Sequence, residues 1–205
     1  MQITKVEKQE KRDRYNVFAD GKFLTALDGS VIVEAGIREG ELLTTSEFAR
    51  LLERDKFAKA LNKAYSLLSR RPHASAELGR KLKERKYSPE LITEVLEHLS
   101  RLGYLNDESF AKQWVQSRGA SRGPRLLQAE LRQKGVQDAA VRAALEELAD
   151  PLEAVRELAQ KRLARLREEP WERARPKVAA FLQRRGYGFD VIGPVLDELK
   201  PTART

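Results

Sequence analysis

Hydrophobic positions along this chain change period once. In the opening segment Tyr15, Val17 and Phe18 lead into Asp20-Gly21, and Phe23, Leu24 and Leu27 follow. Asp-Gly between apolar runs supplies two residues able to take positive φ, so the pattern predicts a β-hairpin across about Tyr15–Leu27. Ile3, Val6 and Val31–Val33 supply either a further strand or the start of a short helix packed on that hairpin. A two-stranded hairpin is marginal by itself and is expected to dock on something helical. Thr44-Thr45-Ser46-Glu47 then offers an N-cap ahead of Phe48, Leu51 and Leu52, which marks the switch to helical spacing.

From about residue 56 to 200 the pattern is helical, and it repeats at an interval of about 50 residues. Leu78, Leu82, Tyr87, Val95, Leu96 and Leu99 move by 49 positions onto Leu127, Leu131, Val136, Ala144, Leu145 and Leu148, and by a further 51 onto Val178, Leu182, Tyr187, Val195, Leu196 and Leu199. Each unit reads as three helices, the first of them over roughly 56–69, 106–117 and 152–167. In the first copy Ala58, Leu61, Tyr65 and Leu68 form one amphipathic stripe. Ser88-Pro89, Gly123-Pro124 and Asp150-Pro151 each set a capping residue before a proline at the first helical position, where the missing N–H costs nothing. Gly135 and Gly186 stand where a left-handed residue would end the middle helix; Lys86 holds that place in the first copy, so its turn is either strained or built differently. The predicted fold is mainly α, with three tandem three-helix repeat modules in an elongated curved array after a small N-terminal β-hairpin segment. Its expected divisions are 1–54 for the hairpin segment with a short helix, 55–105, 106–149 and 150–200 for the modules, and 201–205 for a tail.

Composition narrows the function classes. The chain has 205 residues, no cysteine and two histidines, His73 and His98, which excludes disulfides, thiol nucleophiles and a cysteine or histidine metal cage. No apolar run approaches a membrane span and the start lacks a secretory pattern, so a cytoplasmic protein without membrane partners is expected. There is no H-E-x-x-H, no phosphate-binding glycine loop and no dinucleotide fingerprint, and the pairs Glu146-Glu147 and Glu168-Glu169 point to diverging helix faces. No catalytic residue, metal or cofactor is assigned, and the chain is not expected to be an enzyme. The net charge of +8 favours a polyanionic partner. That excess is uneven: residues 56–105 carry 11 basic and 5 acidic side chains and 151–205 carry 12 and 8, whereas 106–150 carry 7 of each.

Two basic clusters are candidates for contact with phosphates or an acidic protein surface: Arg70, Arg71, Arg80, Lys81 and Lys83, and then Arg118, Arg122, Arg125 and Arg132 near a glycine-rich turn. The plainer reading of the first is a solvated helix face paired locally with Glu77 and Glu84. Arg85, Lys134 and Arg185 recur at equivalent positions in the last turn of a helix, where a cation complements the macrodipole without any ligand. Trp114, Phe110, Tyr65, Tyr87, Tyr104, Phe181 and Tyr187 have the spacing of packing residues more than of base-stacking ones, while Trp171 is open to surface contact.

Several strings together resemble the RecX family. They are Arg70-Arg71-Pro72-His73 with Glu77-Leu78 and Lys81-Leu82; Leu102-Gly103-Tyr104-Leu105-Asn106-Asp107-Glu108-Ser109-Phe110-Ala111; Arg122-Gly123-Pro124-Arg125 with Leu131 and Lys134-Gly135-Val136; and Arg184-Arg185-Gly186-Tyr187. The likeness spans about residues 56–199, and the β-rich start resembles the extra segment of longer members. One departure is Ala74, where the family usually has a capping serine; either Ser75 caps a helix begun one residue later, or Pro72 and His73 set its start. The resemblance implies a negative modulator of the RecA recombinase in recombination, DNA repair and the SOS response. Such a protein binds RecA–DNA filaments and inhibits ATP hydrolysis, filament growth and strand exchange. It further implies a monomer with the RecA filament as partner and single- and double-stranded DNA as secondary partners. The competing reading is a general helical-repeat nucleic-acid binder that competes for DNA.

Overall fold

Asp20 and Gly21 both adopt positive φ (50° and 77°), the geometry a two-residue hairpin turn requires. They join β2 (Arg14–Ala19) to β3 (Lys22–Asp28). In the computed structural model, which describes residues 1–11, 13–148 and 150–201, this hairpin is part of a larger sheet. β1 (Ile3–Lys8) pairs antiparallel with β2, giving the order β1-β2-β3. The predicted hairpin segment is thus a three-stranded sheet. The segments left open between strand and helix divide: Ile3 and Val6 lie in β1, and Val31–Val33 in α1 (Gly29–Ala35). Apart from Pro201, the expected tail lies outside the described residues.

The chain separates into two compact units, one of Met1–Pro72 with Leu78–Tyr104, the other of His73–Glu77 with the residues from Leu105 onward. In the first unit, α2 (Thr45–Leu68) has its N-cap at Thr44, within the segment expected to supply one, and the cap is a full capping box: the Thr44 hydroxyl accepts from the Glu47 amide and the Glu47 carboxylate accepts from the Thr44 amide. The helix runs unbroken through the expected division at 54/55, so the stripe Ala58–Leu68 belongs to a helix that starts eleven residues before 56, at Thr45. Ile3, Val17, Leu27, Val31 and Leu51 form the core between the sheet and the helices α1 and α2. Asp55 is buried there, and its carboxylate is fully engaged: it pairs with Arg14 (3.2 Å) and Lys59 (2.6 Å) and accepts from the Asp28 amide (2.8 Å).

The first module continues with α3 (Ser75–Lys83) and α4 (Pro89–Arg101), the latter capped by Ser88. Leu78, Leu82, Val95 and Leu99 are fully buried. Lys86 takes φ of 64°, the left-handed conformation held by Gly135 (86°) and Gly186 (91°) in the other copies; the turn is the same one, and the lysine is strained in it.

The second unit holds α5 (Asp107–Arg118), α6 (Pro124–Lys134), α7 (Asp138–Glu146), α8 (Pro151–Leu163), a short 3₁₀ turn, α9 (Trp171–Arg184) and α10 (Phe189–Glu198). Leu127, Leu131, Val136 and Ala144 are buried in one module and Val178, Leu182, Tyr187, Val195 and Leu196 in the next, so the repeated apolar positions are core positions. Of the alternatives left by Ala74, a helix begun one residue after Ser75 is not what is found, since α3 includes Ser75. Ala74 is fully buried in this unit's core, and the first amide of α3, at Ser75, is satisfied by the Asp107 carboxylate at 2.8 Å, from the first turn of α5.

Candidate functional site

The first basic cluster extends from the end of α2 into α3. Arg70, Arg71, Arg80 and Lys83 are exposed and Lys81 is half-buried. Arg71 donates to the Pro72 carbonyl (3.0 Å), which fixes its guanidinium at the bend between the helices. Arg80, Lys81 and Lys83 occupy the last two turns of a nine-residue helix, where the dipole favours positive charge. Among the described residues Arg70, Lys81 and Lys83 form no ion pair, so their charge is available to solvent or a partner.

The second cluster separates into residues with different work. Trp114 on α5 is half-buried against Phe110, their centroids 5.6 Å apart. The Arg118 guanidinium stacks on the indole at 3.4 Å, and the Lys134 ammonium lies 4.3 Å from the same centroid. The indole N–H donates to Glu130 Oε2 (2.9 Å), and Oε1 of that carboxylate accepts from Arg122. Lys134 also pairs with Glu77, both side chains being largely buried (3.3 Å). Arg118 and Arg122 therefore converge on one tryptophan, held by cation–π attraction and a shared carboxylate. Arg132 lies apart, paired with Asp138 (2.8 Å) at an exposed position, and its guanidinium holds the Asp138 carboxyl below the usual range.

Arg125 sits at a junction the sequence did not disclose. The first residues of α6 meet the last residues of α9: the Gly123 amide donates to the Arg185 carbonyl (2.7 Å) and the Arg125 amide to the Gly186 carbonyl (3.2 Å). Free amides at one helix start thereby satisfy free carbonyls at another helix end, in the favourable sense of both dipoles. Arg185 reinforces the contact, donating to the Ser121 carbonyl (3.0 Å) and lying over Phe181 (5.1 Å). The Arg125 side chain lies beside Gly188, exposed and without an ion pair among the described residues.

Lys134 and Arg185, read from their positions as cations complementing helix ends, thus have tertiary partners as well; Arg85, their equivalent, is exposed. What the sequence missed is the tryptophan cluster. Only the spacing of Trp114 and Arg118, one helical turn apart, signalled any of it. Among the described residues no group of acidic or histidine side chains could hold a metal ion, and no helix is long and apolar enough to cross a membrane.

Comparison with known proteins covers the whole architecture. Family models match at residues 1–44 (regulatory protein RecX, N-terminal domain), 60–99 (RecX, first three-helix domain), 106–145 (second) and 149–196 (third). The regulatory protein RecX of Bacillus subtilis is 31% identical over 97% of this chain and 77% of its own length. That of Listeria welshimeri is also 31% identical, over 93% of this chain and 73% of its own. A crystal structure of regulatory protein RecX superposes with a TM-score of 0.77 at 27% identity, over 96% of this chain and 98% of that one. A crystal structure of RecX from Lactobacillus salivarius gives 0.65 at 25% identity, over 71% and 97%.

Proposed function

The chain belongs to the RecX family of regulatory proteins, and from that premise we propose that it acts on RecA–DNA filaments, binding them and restraining ATP hydrolysis, filament growth and strand exchange. The role is regulatory and not enzymatic, and it belongs to recombination and DNA repair. The observation that supports the contact residues is that, among the described residues, some exposed cations form no ion pair: Arg70 and Lys83 in the first unit and, separately, Arg125 in the second. An unpaired surface cation gives up only hydration and side-chain freedom when it meets an acidic partner or a phosphate, whereas a paired one must also give up its carboxylate. Arg71, Arg80 and Lys81 accompany them in the first unit and Arg118, Arg122 and Arg132 in the second, and DNA is a secondary partner of these cations.

The test is a dose series of RecA ATPase inhibition with and without excess DNA. Filament binding requires inhibition that saturates well below one molecule per RecA monomer and persists when DNA is abundant. Inhibition relieved in proportion to added DNA would reduce the protein to a competitor for DNA. Arg125→Glu is the variant that reads the surface alone. Arg122→Glu would set a second carboxylate against Glu130 and disturb the fold at the same time. Arg125→Glu should weaken inhibition with helical content unchanged, and undiminished inhibition would remove Arg125 from the contact surface.

A further inference from the structure

Each module ends its middle helix in a left-handed residue: Lys86 (φ 64°), Gly135 (86°) and Gly186 (91°). Among the described residues Lys86 is the one positive-φ position that is neither glycine nor aspartate. In the second and third copies this turn is tied into the fold. Arg132 pairs with Asp138 (2.8 Å), Lys134 pairs with Glu77 (3.3 Å), and the Arg185 guanidinium donates to the Ser121 carbonyl (3.0 Å). Gly186 lies so near Leu126 that a Cβ would stand 2.5 Å from its amide nitrogen. The first copy has the cations without the ties. Lys83, Arg85 and Lys86 are exposed and form no ion pair among the described residues. Pro89 stands at the position of Asp138, so Lys83, the counterpart of Arg132, has no carboxylate there. The Lys86 amide donates to the Lys83 carbonyl (2.9 Å), which closes the turn with a lysine at each end. Glu84, exposed and also without an ion pair, is its one acidic residue.

The helix dipole accounts for part of this pattern. Lys83 and Arg85 lie at the end of α3, where positive charge is favoured without any ligand. It does not account for Lys86. At an exposed helix end the dipole gain is smaller than the cost of a Cβ in the left-handed region, and glycine, present in both other copies, would avoid that cost. Backbone strain that nothing local offsets points to a use for the side chain. The surroundings indicate which use. Lys83-Glu84-Arg85-Lys86 are all charged and exposed, so the turn offers no apolar or aromatic anchor. Protein interfaces rely on such anchors and are depleted in lysine, whereas a phosphate backbone can be met by lysine and arginine without apolar area.

We propose that the turn Lys83–Lys86 binds the phosphate backbone of DNA, with Lys83, Arg85 and Lys86 supplying the cations, and that Lys86 is kept in its strained conformation for this contact. The proposal rests on the reading of unpaired cations as contact residues and extends it. Arg85 and Lys86 join Lys83, and the partner met by this turn is the nucleic acid and not the protein of the filament.

The test is fluorescence anisotropy of the full chain with labelled oligo(dT) over a salt series, beside denaturant unfolding of the same proteins. Lys86→Gly should move the two readouts in opposite directions. Its unfolding midpoint rises, while affinity falls about 5- to 10-fold at about 50 mM salt and the slope of log K against log[salt] shallows by about 0.7, the values for one lost phosphate contact on a single strand. A purely structural residue would not lose binding as stability rises. Lys86→Arg keeps the charge and should keep affinity and slope. Lys22→Gln removes an exposed cation without an ion pair from the hairpin and should leave the slope unchanged. Wild-type affinity and slope in Lys86→Gly, an equal loss in Lys22→Gln, or a lowered unfolding midpoint for Lys86→Gly would overturn the proposal. Unchanged DNA binding with weakened RecA inhibition would overturn it too, by assigning the turn to an acidic protein surface. Inhibition of RecA by the wild-type chain tests the reading beneath the proposal, so the two can fail separately.

Discussion

Gly123→Ala isolates the junction between α6 and α9. A Cβ at this position would stand 2.5 Å from the Gly186 carbonyl oxygen and 2.7 Å from the Tyr187 amide nitrogen. Both are backbone atoms and cannot rotate aside. Reaching ordinary contact at 3.4 Å requires an opening of about 0.9 Å, which takes the 2.7 Å bond from the Gly123 amide to the Arg185 carbonyl out of hydrogen-bonding range. Gly123 is buried, so the freed amide does not gain water, and the neighbouring bond from Arg125 is strained with it. A lost hydrogen bond that leaves a buried donor costs about 1–3 kcal/mol, and the second bond adds about 1 kcal/mol. Alanine returns about 0.4–1 kcal/mol by restricting the unfolded chain. The net loss is about 1–3.5 kcal/mol, which for a chain of this size lowers Tm by about 2–14 °C. Thermal melts followed by far-UV circular dichroism measure it. Gly79→Ala is the matched control: its Cβ would meet Leu96 and Ile92 at 3.4 and 3.6 Å, ordinary contact, within α3. There the same substitution should stabilise by about 0.5–1 kcal/mol through helix propensity. A Gly123→Ala protein with unchanged Tm would refute the reasoning.

Lys86→Gly should raise stability: leaving the left-handed region relieves about 1–2 kcal/mol and the freer unfolded chain takes back about 0.4–1 kcal/mol, so a denaturant midpoint below wild type would contradict the strain. Glu130→Ala should lower stability by about 2 kcal/mol, because the partly buried Arg122 and the Trp114 indole lose their common acceptor; a calorimetric Tm within a degree or so of wild type would count against the cluster. Glu47 titrates below its ordinary value of 4.5 because the Thr44 amide and hydroxyl donate to it. Since the folded value is the depressed one, its contribution is complete above the ordinary value and is lost as pH falls through the folded value. Glu47→Gln should flatten the stability curve in that acidic window, and a curve with the same slope as wild type would show that the capping box does not titrate.

How much of this was legible depended on range. The repeated leucines and valines announced the cores because burial follows from apolar side chains at helical spacing, and Leu78, Leu127 and Val178 are each fully buried. Asp20-Gly21 and the N-cap within Thr44–Glu47 were equally direct, since each is a local structure whose atoms lie within four residues. The cap of α3 could not be read, because the acceptor for Ser75 is Asp107, 32 positions on. Gly186 was read as a helix terminator, which it is at φ of 91°, but its second role was hidden: a Cβ there would stand 2.5 Å from Leu126, a contact written in no local pattern.

The string Arg122-Gly123-Pro124-Arg125 shows why a motif made of basic residues is a poor guide to which of them meets a partner. Gly123 is there for a backbone approach that no side chain permits, and Pro124 because the first helical position needs no N–H. Arg122 turns inward to Glu130 and so helps hold Trp114 in place, while Arg125 is exposed and forms no ion pair among the described residues. Two arginines three positions apart thus differ in what their removal would do. Loss of Arg122 leaves the partly buried Glu130 carboxylate, which still accepts from the Trp114 indole, without its Arg122 cation, and this changes stability first; loss of Arg125 breaks no ion pair among the described residues and changes chiefly what the surface can attract. A family likeness carried by such strings is therefore in large part a likeness of joints and caps, and the chemistry presented to a partner must be sought among the cations the fold has left unpaired.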